Sequence, residues 1–122
     1  MLRLQRLGME FAVCKVQSIS EVNFNRDFVF LSKTDEEISL VCEAGWVPKG
    51  AGPVETGWRA LKIQGILDFG MVGVISKIAA VLAGEGISIF VVSTYNTDYI
   101  FVKEHNLQKS LRLLQESGYT IL

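Results

Sequence analysis

Two short stretches hold residues whose types and spacing suit the binding of a small charged molecule: "GILDFGMVG" over residues 65–73 and "STYNTDYIFVKE" over residues 93–104. In the first, Gly70 and Gly73 fall in the opening turn of an expected helix. Unpaired backbone N–H groups and the helix dipole favour an anion there, and missing side chains let a ligand approach the backbone. The stretch has neither a Walker lysine nor a G-x-G-x-x-G arrangement, so a small carboxylate fits it better than a nucleotide. Close packing of helix on sheet accounts for the same glycines. In the second stretch, Thr94, Asn96, Thr97 and Asp98 interrupt an apolar run. The Asp98 carboxylate, assisted by the hydroxyls of Thr94 and Thr97, would accept hydrogen bonds from a cationic group. The alternative is an Asx-type turn, in which the side chain folds back on its own backbone.

Catalytic constellations are missing from the chain. His105 is the only histidine and lies beside Glu104 and Asn106 at the start of an expected helix, a solvated position rather than that of a general base. The serines, among them Ser18, Ser76 and Ser93, lack the strained glycine elbow that exposes a nucleophile. Cys14 and Cys42 sit inside the apolar runs "FAVCKV" and "ISLVCEA", as buried thiols do, with no histidine or further cysteine at metal-ligand spacing. The expectation is therefore a protein without enzymatic activity, metal or cofactor.

The bulk properties narrow the partners. With 12 Lys+Arg against 13 Asp+Glu, the net charge is −1, so no global field draws in nucleic acid or anionic lipid. The chain has no run of about 20 apolar residues for a membrane helix, and Arg3 and Arg6 do not lead into a signal peptide. A cytoplasmic location is expected. At 122 residues, 49% hydrophobic and 20% charged, the chain can build one ordinary domain or two small ones.

The elements that must position the two stretches are legible from periodicity. "WRALKIQG" alternates as a short strand, and "VPKGAGPVETG" before it reads as a loop. From Gly70 to Ala83, Met71, Ile75, Ile78 and Leu82 form a helical stripe, with Asp68 as a candidate N-cap and Gly84 and Gly86 at its end. "ISIFVVST" reads as a central strand, "YNTD" as a turn and "YIFVKE" as a return strand. Leu107, Leu111 and Leu114 mark a second helix closed by Gly118, and "YTIL" a last strand. The order β-α-β-β-α-β over residues 58–122 is the ferredoxin-like unit, an α+β fold with two helices on one face of a four-stranded antiparallel sheet. Residues 1–57 hold three strand-like runs, "EFAVCKV", "DFVFLSKT" and "ISLVCEA", and a loop over 17–27. They form either an abbreviated copy of the same unit or strands that extend the second sheet. In the ferredoxin-like unit the first helix's N-terminus and the end of the second strand share one edge, so the anion site and Asp98 would converge on a zwitterion.

The stretch "LDFGMVGVISKIAAVLAGEGISIFVVSTYNTDYIFVKEHNL" resembles the ACT domains, amino-acid-binding regulatory modules, and within them the small tandem-ACT proteins related to aspartokinase regulatory domains and CASTOR arginine sensors. The resemblance implies a tandem of ACT units, the N-terminal one abbreviated, with a free amino acid held at an ACT interface. It places the ligand on Phe69, Gly70, Met71, Val72 and Gly73 and on Thr94, Tyr95, Asn96, Thr97 and Asp98. Phe69-Gly70-Met71 stands where many ACT domains have Pro-Gly-hydrophobic. The resemblance also implies a homodimer and a regulated partner protein, since no catalytic domain accompanies the units. A ligand-free module for oligomerisation or protein interaction is the second reading. An RNA-binding domain of the same topology would need a basic surface and an aromatic RNP-like strand, which the sequence lacks.

Overall fold

A computed structural model describes residues 2–65 and 72–122. The chain divides into two compact units, Met1–Gly8 with Arg59–Leu122, and Met9–Trp58. Among the described residues no helix is long and apolar enough to cross a membrane.

The first unit contains strand β1 (Arg3–Arg6), the second half of β5 (Val54–Ile63), helix α1 (Val74–Ala83), β6 (Ile89–Ser93), β7 (Asp98–Lys103), helix α2 (Leu107–Glu116) and β8 (Thr120–Ile121). From β5 onward this is the β-α-β-β-α-β order read from the sequence. The sheet departs from the four antiparallel strands expected. β1 lies between β5 and β8, antiparallel to the first with Leu4 opposite Ile63 and parallel to the second with Leu4 opposite Ile121. Its four residues "RLQR" are too few and too charged to stand out as a strand. Leu4 is nevertheless fully buried, and an extended chain puts it on the same face as Leu2. β6 is a second departure. Its β-branched run reads as central, yet among the described residues it pairs only with β7, and none of its five residues is fully buried.

One face of this unit carries both helices. Ile78 and Leu82 of α1 and Leu107, Leu111 and Leu114 of α2 pack on Leu4, Leu61, Ile63, Ile100 and Val102, the inward residues of alternating strands. Each helix stops at a left-handed glycine. Gly86 has φ 73° and Gly118 φ 99°, and the next N–H, of Ile87 or Tyr119, returns to the carbonyl of Leu82 or Leu114. The α1 helix begins at Val74, not Gly70, and Gly73 rather than Asp68 occupies its N-cap.

The second unit is a sheet of β2 (Phe11–Lys15), β3 (Phe30–Lys33), β4 (Ile38–Glu43) and the first half of β5, in the order β3-β4-β2-β5. Cys14, Val16, Val22, Leu40 and Cys42 form its small core. In place of a helix, residues 16–29 make a single 3-10 turn (Ile19–Glu21). A reciprocal cap closes it: Ser18 Oγ accepts from Ser20 N–H, and Glu21 accepts from the N–H groups of Gln17 and Ser18.

The hairpins β3-β4 and β6-β7 turn in the same way. Thr34 N–H donates to the Glu37 carbonyl at 2.9 Å while its hydroxyl oxygen accepts from Glu37 N–H at 3.1 Å. Thr94 N–H donates to the Thr97 carbonyl at 2.9 Å, and its hydroxyl oxygen accepts from Thr97 N–H at 3.3 Å. The two units thus share a structural element.

Burial pushes the Cys42 thiol up to about 11, with further contributions from neighbouring Cys14 and Glu43. The unfolded chain releases this proton near the ordinary thiol value while the folded one retains it. Stability contributed by the neutral thiol is therefore complete below about pH 8.5 and declines as pH rises toward 11. Urea midpoints measured from pH 8 to pH 10.5 should fall more steeply for the native chain than for Cys42→Ala; equal slopes would contradict this.

Candidate functional site

At the end of β5 the chain is held on both sides. Gln64 N–H donates to the Arg3 carbonyl at 2.8 Å, and the Ile63 carbonyl accepts the Thr97 hydroxyl, also at 2.8 Å. Thr97 is buried, so this bond fixes the 94–97 turn beside the point where the chain leaves for α1. Helix α1 then runs back along the sheet and feeds β6 through residues 84–88. Its N-terminus therefore lies toward the sheet end that carries the turn.

The register shows which residues face the helices. In the β6-β7 ladder Ile89 opposes Val102, Val91 opposes Ile100 and Ser93 opposes Asp98. The first two pairs pack in the helical core, so by alternation Ser93 and Asp98 lie on the same face at the strand ends. Asp98 is half-buried, and among the described residues no hydrogen bond or ion pair reaches its carboxylate. The turn is closed by Thr94, whose hydroxyl both donates to the Thr97 carbonyl at 3.0 Å and accepts from its N–H. Among those residues the Asp98 carboxylate takes no part in that closure. The neighbouring Tyr99 phenol is pushed up by burial and stays neutral.

At the head of α1, Gly73 adopts φ 79°, a left-handed conformation that glycine takes without strain, and among the described residues no side chain caps the helix. Val72 beside it is 91% exposed. Lys77, one turn on, reaches back so that its Cε lies 4.0 Å from where a side chain on Gly73 would begin. It forms no ion pair among the described residues. A lysine side chain beside the helix N-terminus adds to the positive end of the helix dipole.

The ten residues expected at the site are distributed as follows. Val72 and Gly73 lie at the head of α1, and Thr94, Tyr95, Asn96, Thr97 and Asp98 form the turn and the first residue of β7. Tyr95 is 80% exposed, while the Thr97 hydroxyl is committed to Ile63. Phe69, Gly70 and Met71 lie outside the described residues, as does Asp68. Two residues were missed in the sequence. Lys77 stands four positions after Gly73, a spacing that places both on one helix face. Gln64 ends the strand run "LKIQG", and its Oε1 is buried without a hydrogen-bond partner among the described residues.

The ACT-domain profile matches residues 54–116, just over half of the chain. A protein of Agrobacterium tumefaciens shares 30% sequence identity over 99% of this chain and 92% of its own, with a TM-score of 0.85. The chain belongs to the ACT domain family. The fold of this ACT chain extends to a Vibrio cholerae protein of unknown function described as a possible transport protein, at 23% identity and TM-score 0.70 over 94% of this chain and 88% of that one. It extends also to the ligand-free regulatory subunit of aspartate kinase from Thermus thermophilus, at 9% identity and TM-score 0.58, covering 89% of this chain and 91% of that one. At such identities the likeness is one of fold. Comparison of the sequence with curated proteins returns no match.

Replacing Thr97 by Val keeps its shape but leaves the Ile63 carbonyl buried without its donor. This should cost about 1–3 kcal/mol, read as a lower urea midpoint with the denaturant slope unchanged; an unaltered midpoint would show that the hydroxyl does not anchor the turn.

Proposed function

We propose that this ACT chain is a non-catalytic regulatory sensor of a free amino acid. The observation that carries the reading is the opposite polarity of two elements at one end of the first unit. The head of α1, which no side chain caps among the described residues and beside which Lys77 lies, would receive the carboxylate. Asp98, unpaired among the described residues, with Gln64 Oε1 as a second acceptor, would receive the ammonium. Phe69, Gly70 and Met71, which directly precede Val72 in the sequence, would complete the wall. Membership of the family supports an amino acid as the ligand and regulation as the role. The output would pass through a homodimer and a partner protein whose affinity for this surface depends on the ligand.

The edge of β6, open among the described residues, and the exposure of Val72 and Tyr95 favour a second reading, in which the same end only joins copies of the chain and binds no ligand.

A thermal-shift panel of the twenty amino acids separates the two. Under the sensor reading one or a few stabilise the chain, by about 2.7 kcal/mol at a hundredfold excess over Kd. Asp98→Asn should weaken that ligand by about tenfold to a hundredfold, since a charged hydrogen bond is worth about 1.5–3 kcal/mol. A chain that dimerises in sedimentation yet responds to none of the twenty would establish the assembly reading instead.

A further inference from the structure

One flank of α2 carries polar and cationic groups that play no part in the site above. Gln108, Leu111, Arg112 and Gln115 follow one another at spacings of three, one and three, a stripe that a helix presents on a single face. Arg6 joins them from the sheet. It opposes Leu61 at the end of β1, so alternation sends its side chain out on the helical face, as it does Leu4 two residues earlier. Its N–H donates to the Leu122 carbonyl at 3.2 Å, which ties this end of β1 to the chain beyond β8.

Between the helix and these strands runs an open groove of about 330 Å³, the size of a small-ligand site. Its floor is apolar, with Leu111 buried and Ile121 half-buried, and its rim is polar, since Arg6, Gln108, Arg112 and Gln115 are all exposed. Among the described residues no acidic side chain lines it. The Arg6 guanidinium has no partner among them, the Leu122 terminus included. Arg112 has the Glu116 carboxylate one turn on at 3.9 Å, with the two side chains 62% and 64% exposed. An ion pair so open to water contributes little and is readily exchanged for a better one. In a chain of net charge −1, two guanidiniums thus face one groove, and neither is firmly held by a side-chain carboxylate.

The chemistry of the groove selects its occupant. A monocarboxylate offers two oxygens, which one guanidinium fork satisfies, and would leave the second arginine bare. A phosphate monoester carries nearly two charges at neutral pH and three acceptor oxygens on one atom, enough for both forks at once. The two primary amides donate as well as accept, so they suit ester and hydroxyl oxygens beside it. We propose that this groove binds a small organic phosphate monoester, with Arg6 and Arg112 on the phosphate and the organic group covering Leu111 and Ile121. Every residue of the site lies within the first unit. The ligand differs in class from an amino acid, and the proposal does not rest on the sensor reading.

The full chain, isotope-labelled, is titrated with phenyl phosphate, phenyl sulfate and inorganic phosphate while NMR follows the side-chain amide signals of Gln108 and Gln115. Phenyl phosphate should saturate them in the millimolar range. Phenyl sulfate, its singly charged isostere, should bind about fivefold more weakly for want of the second charge. Inorganic phosphate should bind about tenfold more weakly for want of the apolar group. Arg6→Gln and Arg112→Gln, both at exposed positions, should each weaken phenyl phosphate about fivefold. Lys33→Gln removes the same charge from the other unit and should leave binding intact. No saturable shift, equal binding of phenyl sulfate or inorganic phosphate, or an equal loss in Lys33→Gln would each overturn the proposal. So would saturation of the Gly73 and Val74 backbone signals in place of Gln108 and Gln115, which would assign the anion to the head of α1.

Discussion

The buried hydrogen bond from the Thr97 hydroxyl to the Ile63 carbonyl is the constraint on which the organisation of the first unit rests. It joins two points far apart in sequence and leaves neither backbone nor side chain with a polar group unsatisfied. A buried polar atom is tolerated only when it is paired, so the turn cannot drift away from the end of β5 without exposing or orphaning both partners. The fixed turn in turn sets the register of the β6-β7 ladder, and that register decides that Asp98, rather than Tyr99, points to the helical side. One methyl-bearing hydroxyl thus determines the direction of a carboxylate.

Much of this architecture was legible from periodicity. The stripes Ile75-Ile78-Leu82 and Leu107-Leu111-Leu114 identify helices because side-chain spacing on a helix is a local property, and the glycines after each stripe fit the left-handed turns observed at Gly86 and Gly118. What escaped was decided by distant partners. β1 is a strand because β5 and β8 lie on either side of it, not because "RLQR" prefers extension. β6 reads as central because Phe90, Val91 and Val92 are apolar. Among the described residues it pairs only with β7, and its outward Phe90 stacks on Phe101 at 4.5 Å. The site shows the same division. Gly73 and Asp98 could be singled out by type and position. The reach of Lys77 and the buried amide oxygen of Gln64 depend on rotamers and on neighbours that no window of sequence contains.

The repeated hairpin explains how two related turns take on different chemistry. Both use a threonine to close four residues, but the residues enclosed differ: Asp35, Glu36 and Glu37 in the second unit against Tyr95, Asn96 and Thr97 in the first. Three acids make the second unit's turn hostile to any carboxylate, and there the Thr34 hydroxyl accepts from both Glu36 and Glu37 N–H groups. The neutral turn is followed directly by an acid, Asp98. The same backbone device thus carries two turns of opposite electrostatic character.

The position of β1 bears on how the chain comes to be folded. Its partners are Ile63 and Ile121, so the sheet of the first unit closes only when residues from the two ends of the sequence meet. The second unit, by contrast, is built from strands that follow one another within Met9–Trp58. Pairings of long sequence separation carry a loop-closure entropy that must be met before they stabilise anything, and they form slowly. During synthesis the inserted unit can condense while β1 waits, extended and unpaired, for strands not yet made. The positive charges of Arg3 and Arg6 on either side of Leu4 are then more than surface decoration: charged side chains on an unpaired strand discourage its pairing with other chains.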